Sequence, residues 1–247
     1  PTKTTETRFE GKLTGSIGPN HRIMASYMDI DLTQFNSSFS PPADFNAIDP
    51  ERSIPNTGLS LTYTGVLSDN FYLEGLYSKK EYAFVDSGGS NPEVSGSPIW
   101  DLLESVSFND HWFDGAGPDI ERNNENYYAK ASWFFSGAGT HDLVFGYDYF
   151  DDTTNENNKQ TASGFFFATV VPQNYDEPGN PYLVAQNFGG YVGWGDVLES
   201  SVGSHSETTS LYANDTWRIN DKLTDNLGLR YDKNDATDQG GLKNIDD

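Results

Sequence analysis

Along this chain an apolar or small residue is followed by a polar one over runs of about ten residues, and tight turns join these runs in pairs. That period of two belongs to β-strands with unlike faces. Phe9, Gly11, Leu13, Gly15 and Ile17 alternate with Arg8, Glu10, Lys12, Thr14 and Ser16 before Gly18-Pro19-Asn20 turns the chain. Ile23, Ala25 and Tyr27 resume on the return, with Met24 and Met28 blurring the faces. Leu59, Leu61, Tyr63, Gly65 and Leu67 lead through Ser68-Asp69-Asn70 into Phe71, Leu73, Gly75 and Tyr77. The apolar stripe then stops at Lys79, Lys80 and Glu81, as for a strand leaving an apolar layer.

Two further hairpins repeat the pattern. Tyr127, Ala129, Ala131, Trp133 and Phe135 turn at Gly137-Ala138-Gly139-Thr140 and return through Leu143, Phe145, Tyr147 and Tyr149. Leu211, Ala213, Trp217 and Ile219 turn at Asn220-Asp221-Lys222 and return through Leu223, Leu227, Leu229 and Tyr231. The hairpins occupy about 6–34, 55–85, 122–153 and 205–235 within a single domain over 1–247. Between them run long connections at about 35–52, 86–120 and 154–205, rich in Gly, Pro, Asn and Asp. Loops beyond ~15 residues are uncommon in compact soluble domains. Short turns alternating with long loops suit an outer-membrane barrel, with the turns periplasmic and the loops extracellular. The last connection includes the apolar stretch Phe165 to Val171, where further strand pairing above or within the barrel is expected.

Composition supports a wall with one wet face. Hydrophobic residues make up 35 % of the chain, little for a soluble core, yet aromatics reach 14 %, too many for a disordered acidic chain. No apolar run approaches the ~20 residues of a membrane-spanning helix, whereas a tilted strand crosses in ~9–11. In lipid every backbone N–H and C=O must be paired internally, so a spanning sheet must close. The expected fold is therefore all-β: antiparallel transmembrane β-barrel hairpins with long extracellular loops. Phe71, Trp133 and Trp217 belong to its membrane-facing aromatics, with Phe71, Trp217 and Ile219 near the short turns. Tyr77, Tyr149 and Tyr231 stand at the far ends, which makes two girdles. A soluble antiparallel sandwich would alternate too; loop length and the scarcity of Val, Ile and Leu weigh against it. Asp215 and Asp225 fall on the apolar face: Asp225 can sit at the rim, but Asp215 needs a neighbouring strand or a bulge to shield it.

The fourth hairpin, Ser210-Leu211-Tyr212-Ala213-Asn214-Asp215-Thr216-Trp217-Arg218-Ile219 leading into Asn226-Leu227-Gly228-Leu229-Arg230-Tyr231-Asp232, resembles a hairpin of TonB-dependent outer-membrane receptors. The third, with Tyr127-Tyr128-Ala129-Lys130 and Leu143-Val144-Phe145-Gly146-Tyr147-Asp148, is similar to the Oar-like branch. The resemblance implies a section of a barrel of about 22 strands, plugged by a separate domain. It also implies energy supplied by the TonB complex through parts of the receptor beyond these strands. No plug-like sequence, TonB-box-like start or aromatic last residue occurs, so an internal section of a longer receptor is expected.

The net charge of −22 repels nucleic acid and excludes it as a partner. The expected partners are the lipid bilayer, the TonB complex and a ligand whose identity the polar loops leave open. No cysteine is present, which removes thiol nucleophiles and thiolate metal sites. His21, His111, His141 and His205 read as solvated residues of turns and loops, and no nucleophile–base or acid pair stands out, so no enzyme is expected. Asp114, Asp119 and Glu121, and Asp151, Asp152 and Glu156, form acidic groups of the kind that bind calcium, or that simply keep a loop solvated. The other functional readings are a passive porin or structural barrel, and a soluble secreted β-protein binding glycan or calcium.

Overall fold

The computed structural model describes residues 1–38, 41–85, 88–89, 91–102, 104–111, 120–155, 161–170, 185–187, 190–196, 203–238 and 243–246. The first half holds β1 (Lys3–Ile17), β2 (His21–Ser37), β3 (Asp49–Ser68), β4 (Phe71–Phe84), β5 (Ile99–Asp101), β6 (Val106–Phe108) and β7 (Ile120–Ser136). The second holds β8 (Thr140–Asn155), β9 (Phe165–Val170), β10 (Ala185–Asn187), β11 (Gly190–Asp196), β12 (Ser204–Asn220), β13 (Leu223–Asp238) and β14 (Lys243–Asp246).

Nine strands make one antiparallel wall in the order β1-β2-β3-β4-β7-β8-β12-β13-β14. Each of the four anticipated hairpins is present, and each runs further toward the loop side than the alternation reaches. β3 starts at Asp49 and β8 ends at Asn155. The apolar stripe ends where lipid would end, but the backbone ladder needs no apolar side chains and continues into water.

Turn chemistry holds the short ends. Gly18 has φ +64, which its missing Cβ permits. Ala138 and Gly139 both adopt positive φ, and a Cβ on Gly139 would collide with the Arg218 carbonyl of β12. Asn220 accepts a hydrogen bond from the Lys222 N–H at 2.9 Å, closing the last turn. Register slips occur between Val66 and Ser68 and between Arg218 and Asn220, each just before a turn. Ile219 therefore lies in an irregularity, where bulges re-aim side chains.

Register brings the alternating stripes together. Leu73 pairs with Ala131, Ala131 with Phe145, Phe145 with Ala213, and Ala213 with Leu229, one unbroken apolar row across five strands. The same face carries Phe9, Leu13 and Ile17 on β1, opposite Asp29, Ala25 and His21 on β2. Large side chains on it remain open, with Leu13 77 % and Leu229 82 % exposed. So much exposed apolar surface on a polar chain needs a nonaqueous solvent. Along β1 and along most of β13 the outer edge has no partner among the described residues. In a bilayer those edges must find backbone partners.

A second, five-stranded sheet, in the order β10-β11-β9-β5-β6, is built from the two longest connections. Phe165–Val170 does pair, as anticipated, but outside the wall: β9 runs antiparallel to β11 and parallel to β5. The β2–β3 connection joins this sheet. Ala43 N–H donates to Ser107 O at 2.7 Å, and Ser107 N–H to Pro41 O at 2.9 Å. Asp44 caps the short 3-10 turn Phe45–Ala47 and also accepts from the Asn109 N–H at 2.9 Å. Most buried side chains of the described residues lie here or at the adjoining strand ends: Ala47, Ser97, Ser107, Asp110, His111, Thr161 and Ala168, with Asp49 and Ile120.

Candidate functional site

The six anticipated membrane-facing aromatics share one face. Tyr77 pairs with Tyr127 and Tyr127 with Tyr149, a direct cross-strand row at the loop side of the apolar band. The Tyr127 and Tyr149 rings stack at 4.7 Å between centroids. Tyr231 pairs with Leu211, which pairs with Tyr147, one row nearer the turns. At the other border Phe71 pairs with Trp133. Trp133, Phe135, His141 and Trp217 then form a continuous ring stack, with centroid separations of 4.7, 4.6 and 5.4 Å. The two girdles are assembled by register from three separate hairpins, which no single stretch of sequence could display.

His141 resolves the misfit at Asp215. Its Nδ1 lies 2.6 Å from Asp215 Oδ2 across the β8–β12 ladder, and its Nε2 lies 2.9 Å from the Gly137 carbonyl. The neighbouring strand supplies the shield, and a histidine supplies it. Three of the four histidines, His21, His141 and His205, stand in strands rather than in turns; His21 hydrogen-bonds Tyr63 at 2.8 Å. The turn residues beside His21 and His141 concealed this. Asp225 sits at the exposed rim as expected.

The opposite face is polar, and its side chains interlock. Lys130 bridges Glu74 at 2.6 Å, while Arg230 holds Asp232 through Nε at 2.8 and 2.9 Å and donates to Ser210 Oγ at 2.9 Å. A Cβ on Gly146 would sit 2.5 Å from the Tyr212 hydroxyl, so glycine is what lets that ring lie flat across the ladder. Such satisfied polar networks belong to a face that meets water or polar protein.

Beyond the tyrosine row the strands leave the apolar band, and the two faces differ in the charge that predominates. Arg52, Lys80 and Arg122 extend the polar face around Phe84 and Tyr82. The guanidinium carbons of Arg52 and Arg122 lie 5.8 and 5.6 Å from the Phe84 ring centre, and Lys80 Nζ lies 5.8 Å from that of Tyr82. Tyr82 and Phe84 meet edge to face at 5.2 Å. Gln34 orients Arg52, accepting from its Nε at 2.8 Å. Asp152 lies two strands away on this face, in line with Lys80 through Asn124. Cations held against aromatic faces can take an anionic or aromatic ligand. Alternation along the sequence could not reveal the group, because its members come from β3, β4 and β7.

The other face carries carboxylates at the same height. Glu125 pairs with Asp151, Asp151 with Glu207, and Glu207 with Asp235. His205 Nε2 lies 2.8 Å from Asp151 Oδ2 and 3.7 Å from Glu207 Oε1, and the Tyr149 hydroxyl donates to Asp151 at 3.2 Å and to Glu207 at 3.1 Å. The hydrogen bond to Asp151 holds the His205 pKa above its ordinary value against the opposing effect of burial. Burial pushes the Asp151 carboxyl up, but hydrogen bonds from His205, Thr153 and Tyr149 outweigh it and leave the group below the usual carboxylate range.

This arrangement revises the acidic groups read from the sequence. Asp151 and Asp152 point to opposite faces of β8, because neighbours on a strand must, and so cannot share an ion. Glu121 lies on β7 and accepts from Asn123 at 3.3 Å. Asp114, Asp119 and Glu156 lie outside the described residues.

The whole chain, residues 1–247, matches the family model of the outer membrane beta barrel domain. No curated protein matches it in sequence. Among solved structures it is similar to the siderophore receptor PirA of Acinetobacter baumannii, at 13 % identity and a TM-score of 0.52, covering 94 % of this chain and 29 % of that one. It is also similar to the ferric-catecholate import receptor Fiu of E. coli K12 in its closed form, at 12 % identity and a TM-score of 0.48, covering 95 % and 35 %. A third is BauA, the ferric preacinetobactin receptor of Acinetobacter baumannii, at 16 % identity and a TM-score of 0.47, covering 96 % and 35 %. The chain spans about a third of the length of each of these receptors.

Proposed function

Since the chain belongs to the outer-membrane β-barrel domain family and lies in the bacterial outer membrane, we propose that it is part of the wall of a TonB-dependent receptor that captures an anionic ligand at its extracellular mouth. The observation that carries this reading is the cluster of Arg52, Lys80 and Arg122 around Phe84 and Tyr82 on the lumen face, in a chain of net charge −22. A wall built only to be soluble and inert gains nothing by gathering its scarce cations on the lumen side of that mouth. The Oar-like branch remains our assignment within the receptors, supported by the Tyr127–Lys130 and Leu143–Asp148 segments. The role is binding and transport, not catalysis.

Ligand would be drawn inward by charge and retained by bidentate guanidinium contacts and ring stacking. Energy for release would come through TonB, acting on parts of the receptor outside these strands. The likeness to the siderophore receptor PirA makes a ferric siderophore the first probe. Cells producing the full receptor should bind a radio-iron-labelled anionic ferric catecholate and accumulate it only when TonB is intact. The double charge reversal Arg52→Glu/Arg122→Glu should weaken binding by about a hundredfold, at about 1.4 kcal/mol per tenfold. Accumulation without TonB would favour a passive pore, and binding indifferent to the charge reversal would overturn the anion reading.

A further inference from the structure

From the outward cluster at the top of β8 and β12 we infer a binding site for one divalent transition-metal ion, of which zinc is the best fit, formed by His205, Asp151 and Glu207. It lies on the opposite face from the ligand-capture cluster and stands whether or not the receptor reading holds. One ring nitrogen and two carboxylate oxygens, one atom from each residue, lie within 4.8 Å of one another. Tetrahedral zinc with bonds of about 2.0–2.1 Å to nitrogen and oxygen sets its ligand atoms about 3.3 Å apart. His205 Nε2 stands 2.8 Å from Asp151 Oδ2 and 3.7 Å from Glu207 Oε1, on either side of that spacing. Small rotamer adjustments would open the first pair and close the second.

The backbone already fixes the geometry. Asp151 and Glu207 are direct cross-strand partners, and His205 is two residues before Glu207 on the same face of β12. Three ligands on two paired strands need no loop to order them. The Tyr149 hydroxyl donates to both carboxylates, the kind of outer-shell contact that orients metal ligands.

Strand register adds a separate argument. Glu125, Asp151, Glu207 and Asp235 face one another in sequence across four strands, and like charges directly opposite destabilise a sheet. Lys79 pairs directly with Glu125 at one end of this row and Lys233 stands beside Asp235 at the other; they form ion pairs with Glu81 and Asp235, which leaves the middle pair, Asp151 and Glu207, without a lysine. A divalent ion at the middle pair would turn the repulsion into attraction. The imidazole decides the class of ion: calcium takes six to eight oxygens, whereas nitrogen with carboxylate suits zinc and its neighbours. With three protein ligands the fourth position is left to water or to a lipid phosphate at this height.

The test uses the full, untagged receptor purified in detergent. Calorimetric titration with zinc chloride should give one site per chain that excess calcium does not displace. His205→Ala and Glu207→Gln should each weaken it at least tenfold, and Asp152→Asn, on the other face of β8, should leave it unchanged. X-ray absorption of the zinc-loaded wild type should show one imidazole nitrogen among oxygen ligands, which keeps the inference testable if a variant fails to fold. Zinc binding that survives His205→Ala, calcium competing on equal terms, an absorption spectrum without imidazole, or no binding at all would each overturn the site.

Discussion

The wall and the loop-side sheet are made from one chain by opposite means. The wall exposes its large apolar side chains and, among its described residues within the band, fully buries little beyond Ala131 and Ser210. The small sheet and the strand ends beneath it bury Ile120, Ala47 and Ala168, together with polar Ser97, Thr161, Asp49 and Asp110. The wall is held by its continuous backbone ladder and by the lipid that its apolar face requires. The loop-side sheet must close on itself in water, and does so with capping and side-chain-to-backbone hydrogen bonds. One region takes its core from the solvent; the other has to make one from short strands and turns.

The sharpest way to break this comparison is to place a charge in each region. Leu229→Arg puts a guanidinium at mid-depth on the lipid face and should cost about 2–4 kcal/mol of wall stability. Asn226→Arg, on the lumen face of the same strand, should cost little. Urea unfolding of the full protein in bilayers, followed by tryptophan fluorescence, would separate the two; equal costs would mean that the lipid face has been assigned wrongly. His141→Ala should come next, at about 1–3 kcal/mol in the same assay, because it leaves Asp215 without its partner at the girdle. The double variant His141→Ala/Asp215→Ala should recover part of that loss. The smallest effect belongs to the other region. Asp44→Ala removes the cap of the 3-10 turn and a tether to Asn109 and should cost about 1 kcal/mol, confined to the loop side. Hydrogen exchange should quicken around Asn46, Ala47 and Asn109 while the wall amides keep their protection; quickening throughout the wall would mean that the two regions fold as one.

Much of the wall was legible because a strand's two faces are written two residues apart. Phe71, Tyr77, Trp133, Tyr149, Trp217 and Tyr231 could each be given the one apolar face they share from their immediate neighbours. The partner of Asp215 could not, since His141 is 74 residues away in sequence and stands beside a turn. The acidic grouping of Asp151 with Asp152 failed for the same reason in reverse: adjacency along a strand means opposite faces. Strand ends were also short in the sequence reading, because the extensions beyond the apolar band carry charges that look like loop.

What the sequence determined by itself was therefore local: which stretches are strands, which side of each is apolar, where the short turns lie, and that the hairpins belong to a membrane wall. Period-two alternation and turn chemistry depend only on near neighbours, so they survive without knowledge of the fold. The tertiary structure alone decided what lies across the ladder. It joined the tyrosine row and the ring stack, brought Arg52 and Arg122 to the two sides of Phe84, set His205 beside Asp151, and drew the two longest connections into a second sheet. Each is a matter of register between strands far apart in sequence, and register is set by the summed pairing of whole strands.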